Sequence, residues 1–340
     1  MSQPVRTIQT DVVIAGSGPG GATMARELSK KGKKVVLCEA GKNHKSIGKN
    51  SVMLLGMMDK MGMTFSKEGT WVLRPKTVGG ASVVYCGTAV RPPPWLKEKY
   101  GIDLTEEVDE LFKEIPIQTL PDNLVGPAAR KMMGTAQDMG LDWNLLDKWI
   151  RPEKCEANCG KCALGCTTGA KWTAREYVEE AQQNGTELLL QTRVDKVLTE
   201  NGKAVGVRAK GPQGWMDIKA ETVILSAGGQ GTPPILNRSG VYDAGQGFFA
   251  DPLVFVMGAG QGQGSKYDVT MTAGTIMADD GIVMTDLIVP PTMFAGLMTF
   301  AGPRGWVKLP KVLNYRRTMS IMIKVRDGLD GRVNMDESFS

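Results

Sequence analysis

Four of the chain's six cysteines fall in one stretch of twelve residues, CEANCGKCALGC at 155–166. They are Cys155, Cys159, Cys162 and Cys166, with the spacing C-x3-C-x2-C-x3-C. Structural zinc usually takes two cysteine pairs separated by a longer stretch, whereas a single compact run of four is typical of an iron–sulfur ligand loop. Gly160 and Gly165 would let the backbone wrap such a cluster. The spacing favours an iron–sulfur site, with zinc and packed free thiols as the alternatives.

A second stretch with chemical potential is GSGPGG at 16–21, which follows the apolar run DVVIAG and precedes ATMARELSKKG. This order predicts a strand, a glycine-rich turn and a helix, followed by a second strand at 34–41. In the GxGxxG pattern, Gly16 permits the tight turn, Gly18 lets the backbone approach a pyrophosphate, and Gly21 allows close helix–strand packing. Glu39 ends the second strand, where a carboxylate can accept hydrogen bonds from a ribose. The pattern predicts dinucleotide binding without separating NAD(P) from FAD; a glycine-rich turn in an ordinary α/β domain is the alternative.

Composition limits the remaining function classes. The 340 residues are 42% hydrophobic, which is enough for a large core in two domains. The net charge of +5 is mild, and no Lys/Arg stripe with interleaved aromatic residues is present, so nucleic acid is not expected as a partner. No apolar run reaches the ~18–20 residues of a membrane span, and residues 1–16 do not read as a signal peptide. We therefore expect a cytoplasmic protein, with peripheral membrane contact as an alternative. Because the cytoplasm is reducing, the clustered cysteines are expected to bind a metal or act in catalysis and not to form disulfides.

Three further stretches carry a family resemblance, namely TVGGASVVYCGTAVRPP (77–93), TRVDKVLTENGKAVGVRA (192–209) and ETVILSAGGQGTPPILNRSG (221–240). Together with the glycine fingerprint, they resemble the glucose–methanol–choline (GMC) family of FAD-dependent oxidoreductases. The likeness is greatest to the long-chain alcohol oxidase and dehydrogenase branch and extends from about residue 11 to residue 340. Tyr85 departs from the family pattern, which usually has Asn at that position.

The resemblance implies FAD as the cofactor and assigns it a set of contacts. The glycine loop near residue 80 is expected to cover the flavin, the 192–197 strand to meet adenine through its backbone, and the SAGG turn to approach the phosphates. The cofactor-binding residues predicted in this way and from the fingerprint are Gly16, Gly18, Pro19, Gly20, Gly21, Glu39, Ala40, Gly79, Gly80, Ser82, Val194, Ala227 and Gly228.

The resemblance also implies the reaction, in which hydride passes from an alcohol carbon to flavin N5 while a histidine takes the hydroxyl proton. The single histidine of this chain is His44, which we expect to be a solvated loop residue near the adenosine end. The catalytic histidine is therefore expected outside this chain. A fragment of a longer protein, a split enzyme with a partner subunit, and a flavoprotein of different chemistry are the three explanations, and the first is favoured.

The substrate is expected to be a primary or secondary alcohol, long-chain or sterol-like. Flexible core packing is the favoured explanation of the methionine-rich stretches at 53–65 and 292–300, and the lining of a deformable apolar pocket is the alternative. An iron–sulfur cluster would pass electrons to an acceptor protein or quinone, as in the bacterial FAD glucose dehydrogenases of the family. The alternatives are an alcohol oxidase that uses O2 and has structural cysteines, as the similar cysteines of the long-chain branch suggest, and a non-catalytic flavin and iron–sulfur electron-transfer subunit.

The expected fold is α/β, with a Rossmann-like doubly wound FAD-binding domain and a substrate domain on a mostly antiparallel sheet, incomplete at the end of the chain. The predicted divisions are 1–100 and 186–250 for the two parts of the FAD-binding domain, 101–185 for an inserted cap with the cysteine loop, and 251–340 for a truncated substrate domain. Amphipathic helices at 104–115 and 125–140 are expected either to face the core or to cover the flavin as part of the insertion.

Overall fold

The computed structural model describes residues 6–44, 47–62, 64–259, 268–288 and 317–340, together with 295, 299, 303–307, 310 and 315. The chain divides into two compact units. Unit 1 comprises residues 1–84, 173–250 and 328–340, and unit 2 comprises residues 85–172 and 251–327. The predicted divisions coincide with these only at 250, and both units are built from segments that are distant in sequence.

The strands are β1 Arg6–Ala15, β2 Val35–Cys38, β3 Ile117–Gln118, β4 Asn144–Leu145, β5 Lys148–Trp149, β6 Glu187–Leu189, β7 Arg193–Glu200, β8 Lys203–Gly211, β9 Gly214–Leu225, β10 Gln246–Phe248, β11 Leu253–Ala259, β12 Ala273–Met277, β13 Ile282–Asp286, β14 Thr318–Val325 and β15 Gly331–Arg332. The helices are α1 Pro19–Lys30, α2 Trp95–Tyr100, α3 Thr105–Glu114, α4 Pro127–Asp138, α5 Arg175–Gln183, α6 Thr232–Arg238 and α7 Pro303–Trp306.

Unit 1 is organised by a six-stranded mixed sheet with the order β6-β2-β1-β9-β8-β7. Strands β6, β2, β1 and β9 run parallel, and β7 and β8 add an antiparallel hairpin to the edge. The last four residues of β1 and all of β2 are buried, which is the pattern of parallel strands covered on both faces. Helices α1 and α5 are joined by an ion pair of 2.6 Å between Arg26 and Glu180. The strand–helix–strand order predicted at the N-terminus is confirmed.

The β7–β8 hairpin turns at Asn201 and Gly202, as the sequence predicts. Both residues have positive φ, 50° and 77° respectively. Asn-Gly suits this turn because Asn tolerates the left-handed region and Gly adopts it without steric cost. The turn fixes the pairing register of β7, the strand that carries Val194.

Unit 2 contains a five-stranded sheet with the order β11-β14-β13-β12-β4, in which every neighbouring pair is antiparallel. Leu287, Tyr315 and Met322 form a buried apolar cluster, against which Phe255 and Met257 of β11 pack. The predicted fold class, a doubly wound α/β domain with a second, mostly antiparallel sheet, is confirmed.

Some predicted elements differ from those observed. Helix α3 lies within the predicted range 104–115 but buries none of its residues, whereas α4 buries four. The methionine-rich stretch 292–300 falls outside the described residues except at 295 and 299. In the parts of the chain that the structure describes, no helix has the length and apolar character needed to cross a membrane.

Candidate functional site

The carboxyl ends of β1, β2 and β9 in unit 1 meet at one edge of the sheet. The N–H of Gly16 donates to the carbonyl of Cys38 at 2.8 Å, and the N–H of Ser226 donates to the carbonyl of Ala15 at 2.8 Å. The residues that follow the three strands therefore lie side by side. In open α/β sheets, this edge is where ligands bind.

The three fingerprint glycines have different surroundings. Gly16 has φ +99°, and a Cβ built there would lie 2.5 Å from the carbonyl oxygen of Ser226. A Cβ at Gly21 would clash with the carbonyl oxygen of Gly16. A Cβ at Gly18 would meet nothing within 4 Å. Gly16 and Gly21 thus serve backbone packing, whereas Gly18 borders open space.

Helix α1 begins beside that open space. Gly18 is its N-cap residue and provides no side-chain cap, and Pro19 follows at the first turn. Pro19 and Gly20 are exposed. Because the first N–H groups of a helix have no partner within the helix and the dipole is positive there, this end of a 12-residue helix suits an anion.

Glu39 is held in a fixed orientation at the end of β2. Its Oε2 accepts the N–H and the hydroxyl of Ser17 at 3.1 and 2.6 Å, and its Oε1 accepts the N–H of Gly41 at 2.7 Å. The residue is only 6% exposed. Oε2 already accepts two hydrogen bonds, whereas Oε1 accepts one and can take a further donor such as a ribose hydroxyl. Sequence reasoning missed Ser17, although it lies between two fingerprint glycines.

The loop at 79–82 contacts the fingerprint directly. The N–H of Gly79 donates to the carbonyl of Ser17 at 3.1 Å, and a Cβ at Gly80 would lie 2.9 Å from Cα of Gly18. Both glycines have positive φ, 87° and 54°. Ser82 is engaged within the protein, since its hydroxyl donates to the Gly79 carbonyl at 2.6 Å and accepts the Ala174 N–H at 2.9 Å. Ser82 therefore shapes the loop.

The turn after β9 approaches the same glycines from the other side. The hydroxyl of Ser226 donates to the carbonyls of Ala15 and Gly16 at 3.1 and 3.2 Å. Gly228 has φ +77° and no atom within 4 Å of a built Cβ. Ala227 is half-buried, and Gly228 is exposed. Two of the predicted residues, Gly18 and Gly228, thus border open space. The strand–turn pattern did not indicate that Ser226 would contact the end of β1 and Gly16.

Val194 and Ala40 lie near the Glu39 end. The N–H of Thr192, just before β7, donates to the carbonyl of Glu39 at 2.8 Å. Val194 is buried and pairs with Ala209 of β8, with a bulge before Lys196. Ala40 is exposed beside Glu39. The predicted cofactor-binding residues thus all lie in unit 1. Most of them follow the carboxyl ends of β1, β2 and β9 or lie in the 79–82 loop, whereas Val194 lies at the start of β7.

His44 differs from its expected solvated position. It is half-buried, its Nε2 is buried with no hydrogen-bond partner among the described residues, and its ring lies against Gly56. The guanidinium of Arg175 donates to the His44 carbonyl at 3.0 Å and to Oδ1 of Asn43 at 2.7 Å. Burial lowers the pKa of Arg175. The contact was not predictable because Arg175 is distant in sequence.

The four clustered cysteines line one cleft in unit 2. Its empty volume is about 310 Å³, open solvent included, and its walls also contain Ile150, Glu156, Gly160, Lys161, Thr168, Ala170, Lys171 and Val269. All six cysteines of the chain are free thiols. Among the described residues, no three His, Cys, Asp or Glu side chains are arranged to hold a metal ion. The four predicted ligands thus line the same cleft without forming a ready ligand set, and their metal binding stays a prediction.

The thiols of the cleft differ in acidity. Burial raises the pKa of Cys155 to about 12 and that of Cys162 to about 11, and it also raises the pKa of Cys159. Burial acts in the same direction on Cys166. The sulfur of Cys166, however, has the N–H of Lys171 at 3.3 Å and the hydroxyl of Thr168 at 3.5 Å. These two groups outweigh the effect of burial, so the pKa of Cys166 lies below its ordinary value.

Two buried lysines lie beside the cleft. Nζ of Lys171 donates to the carbonyls of Tyr85 and Cys162 at 2.6 and 2.7 Å and lies 4.6 Å from the centroid of the Tyr85 ring. Burial lowers the pKa of Lys171 to about 8, and burial also lowers the pKa of Lys148. Tyr85, the departure from the family pattern, thus binds a lysine beside the cleft.

A comparison with family models matches residues 11–253 to the model described as GMC oxidoreductase. This span covers more than half of the chain and confirms the predicted resemblance. Among solved structures, pyridoxine 4-oxidase from Mesorbium loti aligns with a TM-score of 0.66 over 97% of this chain and 75% of that chain, at 15% identity. That likeness supports the fold.

Curated relatives include a long-chain-alcohol oxidase of Arabidopsis thaliana, 25% identical over 98% of this chain, and a cholesterol oxidase of Acinetobacter baumannii, 26% identical over 67% of this chain. The alignments cover 49% of the first relative and 50% of the second. The chain therefore spans about half the length of these relatives.

Proposed function

The chain belongs to the GMC oxidoreductase family, and on that premise we propose that it is an FAD-dependent oxidoreductase that oxidises the CH–OH group of an alcohol. The observation that carries the proposal is the open space beside Gly18 at the first turn of α1, with the Glu39 carboxylate held nearby. An adenine dinucleotide needs both features, a place for its diphosphate and an acceptor for its ribose hydroxyls.

The residues present fit this cofactor. Gly18 leaves the backbone accessible, and the α1 N-terminus offers N–H donors and a positive dipole end to the diphosphate. The two donors of Ser17 and the N–H of Gly41 hold the Glu39 carboxylate in place, so little ordering is needed when the ribose binds. We assign the loop Gly79–Gly80 and the turn Ala227–Gly228 to the walls of the binding site, and Val194 to the adenine end.

When bound, FAD would accept the hydride of the alcohol carbon. The contribution of residues 1–340 is to bind and orient that cofactor. The acceptor of the hydroxyl proton is not assigned to His44, since its ring lies against Gly56 and its peptide is bound by Arg175 near the predicted adenosine side. We propose that a base from outside residues 1–340, in a longer chain or a partner subunit, takes that proton.

We propose a long-chain or sterol alcohol as the substrate class. The proposal rests on two relatives, one named as a long-chain-alcohol oxidase and the other as a cholesterol oxidase. These substrates share a hydroxyl group attached to a large apolar body. The 20 methionines of the chain suit a site that adapts to such a body. We also retain the predicted cytoplasmic location, with peripheral contact to membranes that hold such alcohols.

Two routes for the electrons separate the candidate enzymes. An oxidase would hand them to O2, leaving the cysteines with a structural role. A dehydrogenase would pass them through an iron–sulfur cluster to an acceptor protein or quinone, and the cleft that collects four thiols favours this second candidate. A non-catalytic flavin and iron–sulfur subunit would contain the same features without oxidising an alcohol.

The test combines cofactor analysis with anaerobic substrate titration. The protein, alone and co-expressed with any downstream reading frame, is purified and its FAD content measured. A long-chain primary alcohol, cholesterol and a short-chain alcohol are then added without oxygen. Loss of the oxidised-flavin absorbance with the first two supports the substrate class, and peroxide formation on admitting air identifies an oxidase. A protein that binds no FAD contradicts the proposal.

A further inference from the structure

We propose that the cleft lined by Cys155, Cys159, Cys162 and Cys166 binds a thiolate-ligated metal centre, and that cationic side chains around the cleft compensate its negative charge. The first support is position. All four thiols line one cleft, which is partly open to solvent, and three of the four cysteines are half-buried. Cysteines that serve only packing are usually fully buried, as Cys38 is in unit 1.

The second support is the path of the loop. Asn158, Gly160, Gly165 and Cys166 have φ values of 58°, 61°, 107° and 61°. Two of these four residues are not glycine, and left-handed conformations cost free energy in other residues. The strained path curls the backbone around the cleft and brings Cys155 and Cys166 to the same space, although ten residues separate them.

The third support is a backbone donor directed at a sulfur. The N–H of Lys171 donates to Sγ of Cys166 at 3.3 Å, and the hydroxyl of Thr168 lies 3.5 Å from the same atom. Donors of this kind orient ligand sulfurs and stabilise their charge in metal sites.

The fourth support is charge. Lys161 and Lys171 line the cleft, against a single acidic residue, Glu156. Behind them, Lys148 is 0% exposed and its Nζ contacts four neutral oxygens at 2.9–3.0 Å, those of Cys86, Thr88, Thr270 and Met271. Asp286 is the buried carboxylate whose charge acts on Lys148. The lining of the cleft thus holds two lysines against one acidic residue, whereas a divalent metal or a cluster held by four thiolates is anionic.

Ligation requires a local rearrangement. The thiols share the cleft without forming a ready ligand set among the described residues. The cysteine side chains must turn toward one centre, and each ligating thiol releases its proton as the metal binds. Such a centre is either an iron–sulfur cluster or a zinc ion, and the metal analysis below distinguishes the two.

The experiment measures iron, acid-labile sulfide, zinc and FAD per chain in the full-length protein purified without oxygen. About four irons and four sulfides per chain indicate a cluster, and about one zinc indicates a mononuclear site. Either result supports the proposal when Cys159→Ser and Cys162→Ala lose most of the metal and Cys38→Ala retains it. Cys159→Ser changes a half-buried residue, and its thermal unfolding is compared with that of wild type to check the fold.

A charge variant tests the second part. Lys161→Met should lose its metal to a chelator at about tenfold lower concentration than wild type. Lys154→Met, which alters an exposed lysine outside the cleft lining, should match wild type. Equal retention in both variants contradicts the compensation of charge.

Protein that remains metal-free after reconstitution with ferrous iron and sulfide, and separately with zinc, overturns the inference. So does a Cys159→Ser variant that binds as much metal as wild type. FAD content is read independently in the same samples. FAD without metal leaves the proposed oxidoreductase intact, whereas metal without FAD contradicts the oxidoreductase and leaves the cleft as a metal site.

Discussion

Replacing Gly18 by alanine should weaken FAD binding without weakening the fold. Gly18 has φ −66° and ψ −177°, an extended conformation that alanine adopts readily, and a Cβ there meets nothing within 4 Å. At a compatible backbone position, Gly→Ala stabilises a protein by about 0.4–1 kcal/mol through the unfolded state. The added methyl group would occupy space that the diphosphate needs. If it removes one charge-assisted N–H hydrogen bond, the loss is about 1.5–3 kcal/mol, or roughly 10- to 100-fold in affinity.

The assay titrates FAD into cofactor-stripped protein and follows flavin fluorescence, while thermal unfolding reports on stability. Gly134→Ala is the matched control. Gly134 lies within α4 in unit 2 and likewise has no atom within 4 Å of a built Cβ. The control should gain stability from helix propensity and bind FAD like wild type.

Two results would contradict the predicted effect of Gly18→Ala. Unchanged FAD affinity in Gly18→Ala would show that the diphosphate does not approach this backbone. A large fall in melting temperature without FAD would show that Gly18 serves packing, as Gly16 and Gly21 do.

The remaining predictions concern packing, the ribose acceptor and a buried acid. Gly21→Ala should destabilise the protein by about 1–3 kcal/mol even without FAD, because its Cβ clashes with the carbonyl oxygen of Gly16; denaturant unfolding measures this, and an unchanged midpoint contradicts it. Ser17→Ala should weaken FAD binding by about tenfold, because it removes the 2.6 Å hydrogen bond that orients the Glu39 carboxylate. Equal FAD titration curves for the variant and wild type would contradict this prediction. Burial raises the pKa of Asp286 from its ordinary value of 3.8 to about 6, so the stability that its protonated form contributes is lost as pH rises through about 6. Asp286→Asn should therefore gain up to about 3 kcal/mol over wild type above pH ~6 and little below pH ~4, and a gain that does not vary with pH would contradict this assignment.

Local patterns predicted the N-terminal strand–turn–helix–strand part of unit 1 well. The strand, glycine turn, helix and second strand at 11–41 are continuous in sequence, and each boundary has its own residue signal. The turn at Asn201–Gly202 was predictable for the same reason, because both residue types favour positive φ.

Contacts between distant segments could not be predicted in the same way. Ser82 has the residue type expected at a cofactor, yet its hydroxyl is engaged with Gly79 and Ala174. The half-buried position of His44 depends on Arg175, which lies 131 residues away in sequence. The family resemblance implied two separate segments for the FAD-binding domain, whereas the return of residues 328–340 to unit 1 is a tertiary result that no local pattern encodes.

The cysteine loop shows the same limit from another direction. Its spacing predicted that four thiols would meet, and the structure brings all four to one cleft. The spacing did not indicate the neighbours that set the charge of the cleft. Lys171 lines it from the segment before α5, Lys148 of β5 is buried behind the lining, and Tyr85, where the family pattern is broken, contacts Lys171.

Anaerobic reduction of the bound flavin by a long-chain primary alcohol, measured on protein with a known FAD content and any co-purifying partner, tests the proposed oxidation of alcohols. We predict one FAD per complete site and full loss of its oxidised absorbance on adding the alcohol. In Gly18→Ala, the loss of absorbance should be smaller in proportion to its lower FAD occupancy. Stoichiometric FAD that no long-chain or sterol alcohol reduces, in a preparation containing every subunit that co-purifies, would contradict the proposed oxidation of alcohols.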